Sequence, residues 1–449
     1  MSHNTWLLVD TALAVAVLVA LIAWLKVNSF VAITLVSLTT GLAAGMEPSR
    51  VAASFATGVG NILGAIAVVI GLGSILGQML AESQGAERIA AALVSGFGRR
   101  GMALAFIAAG FLIGLPVFFS VGLMLLIPIA ETSAERMGVR LSRFGLPLVA
   151  GLSVSHGLIP PHPGPMAALA ALHADAGKTI LFGLVVGAPT ALFAGLAFSR
   201  TSCGNDSLEI SPGRAARVAP PRGAPSLATA LFIVLLPVGL MIARAVAELA
   251  LDKASLPRRW LAFAGDPSVA MLAAVLAAFY LLGTARGFSR RQILGFCNDS
   301  LTDVGGVLLI VGAGGGLSMV LIGAGVNNAV NELADRFAVS PLVMAWLMAA
   351  VVRVATGSAT VAISSAAQLV ASLAAANPSI HPELFVLAMG AGSLVLSHVN
   401  DGGFWLVQKY VRLTVPQTLR TWTVMETMVS VTALGLILLL SAALRPVGG

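Results

Sequence analysis

Residues 153–165 read SVSHGLIPPHPGP. Four prolines, two glycines, two histidines and two serines fall within these thirteen residues, with apolar sequence on either side. Proline removes a backbone donor and ends a helix. Bare backbone in lipid is costly, so such a stretch must be buried in protein or line a cavity. A helix-breaking polar segment between apolar helices is the sequence mark of a transporter binding site. A second such stretch, SHVNDGGFW at 397–405, lies in the other half of the chain.

The surrounding composition is that of a membrane protein. The 449 residues are 58% hydrophobic and only 10% charged, against about 25% charged in soluble domains. Mean hydropathy is +0.95. Charge-free runs at 51–81, 101–130, 179–199, 267–285, 304–331 and 427–444, with the shorter apolar stretches between them, predict roughly ten to twelve spans, since one span needs about 20 apolar residues. The expected class is an all-α polytopic membrane protein in a lipid bilayer. The net charge of +7 is spread over short loops, without a basic helix or interleaved aromatics. That pattern orients helices in a membrane and argues against a nucleic-acid partner. Cys203 and Cys297 are isolated and imply no disulfide framework. The first apolar segment, Trp6 to Leu25, lacks a basic leader and a small-residue cleavage site, so it reads as a retained helix.

The chain divides nearly in half. Residues 200–225, TSCGNDSLEISPGRAARVAPPRGAP from Thr201 onward, form a linker rich in Pro, Gly, Ser and Arg. The half before it, 1–199, carries a break at GLPVFFSVG (114–122) and the proline-rich segment. The half after it, 226–449, carries RVATGSATVA (353–362) and SHVNDGGFW in the same order. Gly71 and Gly312 are 241 apart, Ser120 and Thr360 are 240 apart, and His156 and His398 are 242 apart. Three landmarks at nearly one offset argue for an internal duplication. In membranes such duplications are commonly inverted-topology repeats with the site at their interface. The expectation is two inverted repeats, each with a re-entrant hairpin and a broken helix, the hairpin tips lying near 155–165 and 397–403.

The motifs SHGLIPPHPGP, GSATVA and SHVNDGGFW also resemble those of the gluconate permease family of gluconate:proton symporters. The resemblance runs over nearly the whole chain and includes KVNSFVAITLVSLTTGL, GQMLAESQGAERIA, GDP at 265–267 and PLVMAW at 341–346. It implies import of gluconate or a related small hydroxy acid, with protons, across a bacterial inner membrane by a multi-pass transporter. Relatives differ in solute, and some carry D-serine or other polar acids, so cation-coupled or uncoupled transport of another small polar acid stands as the alternative. The resemblance further implies the ion transporter superfamily fold, with a moving, elevator-type transport domain, and by analogy a homodimer. Two positions depart from the family pattern. Ser120 stands where the family usually shows an acid, and Gly402 follows Asp401 where a proline is usual.

The candidate solute site comprises Ser155, His156, Gly157, His162 and Gly164 in the first segment and Ser397, His398 and Asn400 in the second. Amides exposed at broken helix ends attract anions, and neutral side chains can hold the hydroxyls of a sugar acid. The competing reading is that Ser and His simply satisfy backbone freed by the prolines; for His162 that reading is a rigid turn. Phe119 and Ser120 in the first break and Gly357, Ser358 and Thr360 in the second extend the candidate set, the alternative being close helix packing through small residues. Arg353 lies deep in an apolar run. It can receive a solute carboxylate, or form a structural pair with Asp303 or Glu426, which is the preferred reading. Asp401 is the first proton-carrier candidate, with His398 beside it.

Other classes fare worse. VGAGGG lacks the GK[ST] of a phosphate loop. No metal-ligand spacing, cofactor motif or catalytic triad pattern appears, so neither a metal nor a cofactor is expected. An intramembrane hydrolase built on Ser397, His398 and Asp401 is the strongest enzymatic rival, and an enzyme is not the expectation.

Overall fold

The computed structural model describes residues 3–200, 223–326 and 340–444; the central 201–222 of the expected linker lie outside them. All regular structure among these residues is helical. Helix starts follow local chemistry. Glu47, Asp266 and Ser358 cap helices with side-chain acceptors, and Pro48, Pro267, Pro341 and Pro382 stand in the first turn, where a missing N–H costs nothing.

Two long helices, α1 (Pro48–Glu82) and α2 (Arg290–Gly323), pack along one another. They carry Gly71 and Gly312, one of the matched pairs of landmarks. A Cβ on Gly58 would come within 2.2 Å of the Gly315 carbonyl oxygen, so only glycine allows the backbones to approach this closely. The outer flanks of the bundle expose Val185, Phe193, Phe232 and Leu439, the apolar rind expected of a lipid-facing surface.

Seven helices among the described residues are long and apolar enough to cross a membrane, or eight if one bent pair counts as a span. The sequence estimate of ten to twelve also counted apolar stretches that the fold divides. Ser29–Ala43, Met102–Ile113, Pro341–Val354 and Pro382–Gly392 are apolar but too short to cross alone.

The first motif does not turn back on itself. Helix α3 (Ser142–Leu158) stops before Pro160, and α4 (Pro163–Leu172) restarts after it. Together they read as one 31-residue apolar stretch whose most apolar window is 94% buried, the most enclosed of the spans. The hairpin tip expected near 155–165 is thus a break inside a through-running span. Pro160 and Pro161 end one helix, and Pro163 at the first helical position begins the next. The second expected tip, 397–403, falls largely in the non-helical 393–401 between α5 (Pro382–Gly392) and α6 (Gly402–Tyr410), which do not pack side by side. The chain folds back elsewhere. Helices α7 (Pro341–Thr356) and α8 (Ala359–Ala376) lie against each other across a two-residue connection at Gly357, whose φ of +72° favours glycine.

Candidate functional site

Each broken span is tied to a neighbouring break. At the first, the Ser155 hydroxyl donates to the Phe111 carbonyl at 2.8 Å, and His162 Nε2 lies 2.5 Å from the Gly114 carbonyl, which makes that nitrogen the donor. Both carbonyls belong to the end of α9 (Met102–Ile113) and the turn before α10 (Phe119–Met137). At the second, the Asn400 amide donates to the Val354 carbonyl at 2.9 Å, and the Asn400 backbone lies against Gly357. Freed carbonyls at helix ends thus find side-chain donors from the opposing break, as burial requires. The two broken spans also meet directly, because a Cβ on Gly390 would lie 2.4 Å from the Gly157 carbonyl oxygen.

A cavity of about 550 Å³ opens where these elements converge. The first turn of α10 contributes Phe119 and Ser120, and the first turn of α8, with its cap, contributes Ser358, Ala359 and Thr360. Gly402 and Gly403 open α6, and Pro163 opens α4. Four helix N-termini therefore face one space. Their dipoles give it positive potential at little desolvation cost.

The charged groups lining the cavity are Arg353, Asp401 and Glu426, all buried. Arg353 Nη2 lies 2.5 Å from Asp401 Oδ2, and Nη1 donates to the Gly357 carbonyl at 2.5 Å. Asp401 also caps α6, accepting from the Gly403 N–H at 2.7 Å, and accepts the Ser397 hydroxyl. Ser397 in turn accepts from Trp422 Nε1 at 2.7 Å. This corrects the sequence reading of Arg353. Its partner is Asp401, not Glu426, and Asp303 lies outside the described side chains. The capping position of Asp401 holds its carboxylate toward the helix break where the guanidinium arrives. Glu426 sits in the first turn of α11 (Val424–Leu444) and is hydrogen-bonded to Ser153, while its Oε1 has no partner among the described residues.

The remaining sequence candidates separate into two groups. His156 lines the cavity with its Nδ1 unpartnered, its ring near Phe119 and 4.8 Å centroid-to-centroid from His162. Gly357 lines it as well. Ser155, His162, Ser397 and Asn400 face backbone or Asp401 instead and hold the breaks together. Gly157 and Gly164 pack against Leu394 and Ile363. His398, half-buried, lies 3.5 Å from the Asn400 N–H through Nδ1 and is not among the lining residues. Sequence reading missed Gln78, Trp422 and Ser300 as cavity lining, and weighed Glu426 only as a partner for Arg353. An acid at the head of the apolar run 427–444 was the available signal for Glu426.

Comparison with known proteins agrees with the resemblance in the motifs. The family model described as GntP family permease matches residues 6–443. A gluconate permease of Pseudomonas aeruginosa is 43% identical over 448 residues, covering 99% of both chains. A high-affinity gluconate transporter of Escherichia coli is 40% identical, covering 95% of this chain and 97% of its own. The Gnt-II system L-idonate transporter of the same organism is 38% identical over 98% of this chain and its own full length. Among solved structures, the YdaH transporter of Alcanivorax borkumensis superposes with a TM-score of 0.61 at 15% identity, covering 93% of this chain and 98% of that one. MtrF of Neisseria gonorrhoeae, from a class of antimetabolite efflux pumps, gives 0.63 at 13% identity over 86% and 83%. The fold is thus shared with transporters, and the family and relatives are permeases, not enzymes.

Proposed function

The chain belongs to the GntP family of permeases, a multi-pass membrane transporter of the gluconate family, and from this premise we propose that it imports gluconate or a closely related sugar acid by proton symport with alternating access. The observation that carries the reading is the cavity itself. Four helix starts and Arg353 line a space of about 550 Å³, together with neutral side chains such as Ser120, Thr360 and His156 and the acids Asp401 and Glu426. That chemistry suits one carboxylate and several hydroxyls. Its volume lies within the range of small-molecule sites.

The solute carboxylate lies toward Arg353 and the helix ends, and its hydroxyls lie toward Ser120, Ser358 and Thr360. Ser155, His162, Ser397 and Asn400 keep the breaks in register around it. The two halves act as inverted repeats, each giving one break at the end of an apolar helix and one broken span. Movement of the unit bearing both breaks, in the manner of an elevator, carries the cavity from one face of the membrane to the other. The breaks meeting around one cavity and the common offset of the landmarks support this arrangement. Proton coupling runs through the carboxylates of the cavity, since position 120 has no acid.

The test is uptake into proteoliposomes over a panel of gluconate, L-idonate, other sugar acids and D-serine, with imposed pH and sodium gradients in turn. Saturable gluconate accumulation driven by the pH gradient is the expected result. Selective accumulation of D-serine alone, or response to sodium alone, would overturn the reading.

A further inference from the structure

We propose that Glu426 is the group that binds and releases the coupling proton. The inference rests on the proton-symport reading above and names the atom that reading leaves open. Two carboxylates line the cavity, and their surroundings differ. Asp401 receives Arg353, the Ser397 hydroxyl and the Gly403 N–H. Its oxygens accept from three donors, and losing its charge would strand a buried guanidinium. Glu426 is 1% exposed, contacts the Ser153 hydroxyl, and leaves Oε1 without a donor. A buried carboxylate oxygen with no partner is costly as an anion. As an acid it needs only a place for one hydrogen, and the cavity provides it.

Charge balance points the same way. With Glu426 ionised and the histidines neutral, Arg353, Asp401 and Glu426 sum to one negative charge, which repels an anionic solute. With Glu426 protonated the sum is zero, and the helix ends are left free to attract the carboxylate. Proton and solute then favour each other's binding, which is the linkage a symporter needs. The step is a simple transfer: an O–H bond forms at Glu426 from water on one side and breaks on the other, with no redox change. The charged and titratable groups facing Glu426 are Arg353 and Asp401 from the second break, with His156 in the same cavity. His156 is the weaker candidate, because charging it would set a second cation beside Arg353.

The experiment uses the full-length protein with Glu426→Gln and Glu426→Asp, read in two ways. In proteoliposomes, Glu426→Gln should lose all gluconate accumulation above the no-gradient level while still exchanging internal for external gluconate. Glu426→Asp should keep the gradient response with a displaced pH dependence. Accumulation by Glu426→Gln equal to wild type under the same pH gradient overturns the proposal. The second reading is independent of any solute. Infrared difference spectra across a pH titration of wild type should show a buried carboxylic-acid band that is absent in Glu426→Gln and shifted in Glu426→Asp. A band unchanged by both substitutions overturns the assignment. If wild type accumulates no sugar acid, the transport reading fails, and the infrared titration still decides Glu426.

Discussion

Arg353 and Asp401, 48 residues apart in sequence, form a buried ion pair at 2.5 Å that ties the hairpin turn at Gly357 to the break before Gly402. The pair joins two elements whose backbone is interrupted, so it is placed to hold the second half of the cavity in shape. Breaking a buried pair by removing one partner costs about 3–5 kcal/mol, because the other charge is left uncompensated. Arg353→Met and Asp401→Asn should each lower the unfolding temperature in detergent strongly. The double variant should be markedly less destabilised than the sum of the two, a coupling that a double-mutant cycle measures.

His156 and Asn400 should separate binding from stability. His156 lines the cavity with a free ring nitrogen, whereas Asn400 holds the Val354 carbonyl. His156→Ala should weaken gluconate affinity by about 1–3 kcal/mol, the cost of losing a buried hydrogen-bond partner, with little change in melting temperature. Asn400→Ala should lower the melting temperature more than the affinity. Isothermal calorimetry beside thermal unfolding checks both.

Ser120 should contribute to binding but not to coupling. Its hydroxyl is in the first turn of α10 at the cavity wall. Ser120→Ala should reduce gluconate affinity by about 1 kcal/mol and leave the response to an imposed pH gradient in place. Loss of that response in Ser120→Ala, measured by uptake, would place coupling at position 120 instead.

Glycine spacing at the meeting of the broken spans should be strict. Gly390→Ala drives a Cβ to 2.4 Å from the Gly157 carbonyl oxygen, whereas a Cβ at Gly64 meets nothing within 4 Å. Gly390→Ala should destabilise by about 1–3 kcal/mol through overpacking. Gly64→Ala should be neutral or stabilising by up to about 1 kcal/mol from helix propensity. Thermal unfolding of the two variants side by side makes the comparison.

Much of this protein is written in local sequence. The apolar runs determined that it is helical and crosses a membrane, because backbone in lipid must satisfy itself. Pro160, Pro161 and Pro163 determined where a helix must stop and start, because proline cannot donate and its ring fixes φ. Serine, histidine and asparagine beside those breaks stood out as candidates for a similar reason, since such groups are expensive at membrane depth. Which of them face the cavity was not legible. Ser155 and His162 turn to the carbonyls of Phe111 and Gly114, while Phe119, Ser358 and Thr360 turn inward. That choice depends on which opposing helix end has unsatisfied carbonyls, a fact of tertiary contact. The pairing of Arg353 with Asp401 and the isolation of Glu426 Oε1 have the same origin. A short helix can place Asp401 at its own start, but only the packing of the hairpin at Gly357 against 397–401 brings the guanidinium to it. Tertiary packing likewise leaves one oxygen of the other acid of the cavity, Glu426 Oε1, without a donor.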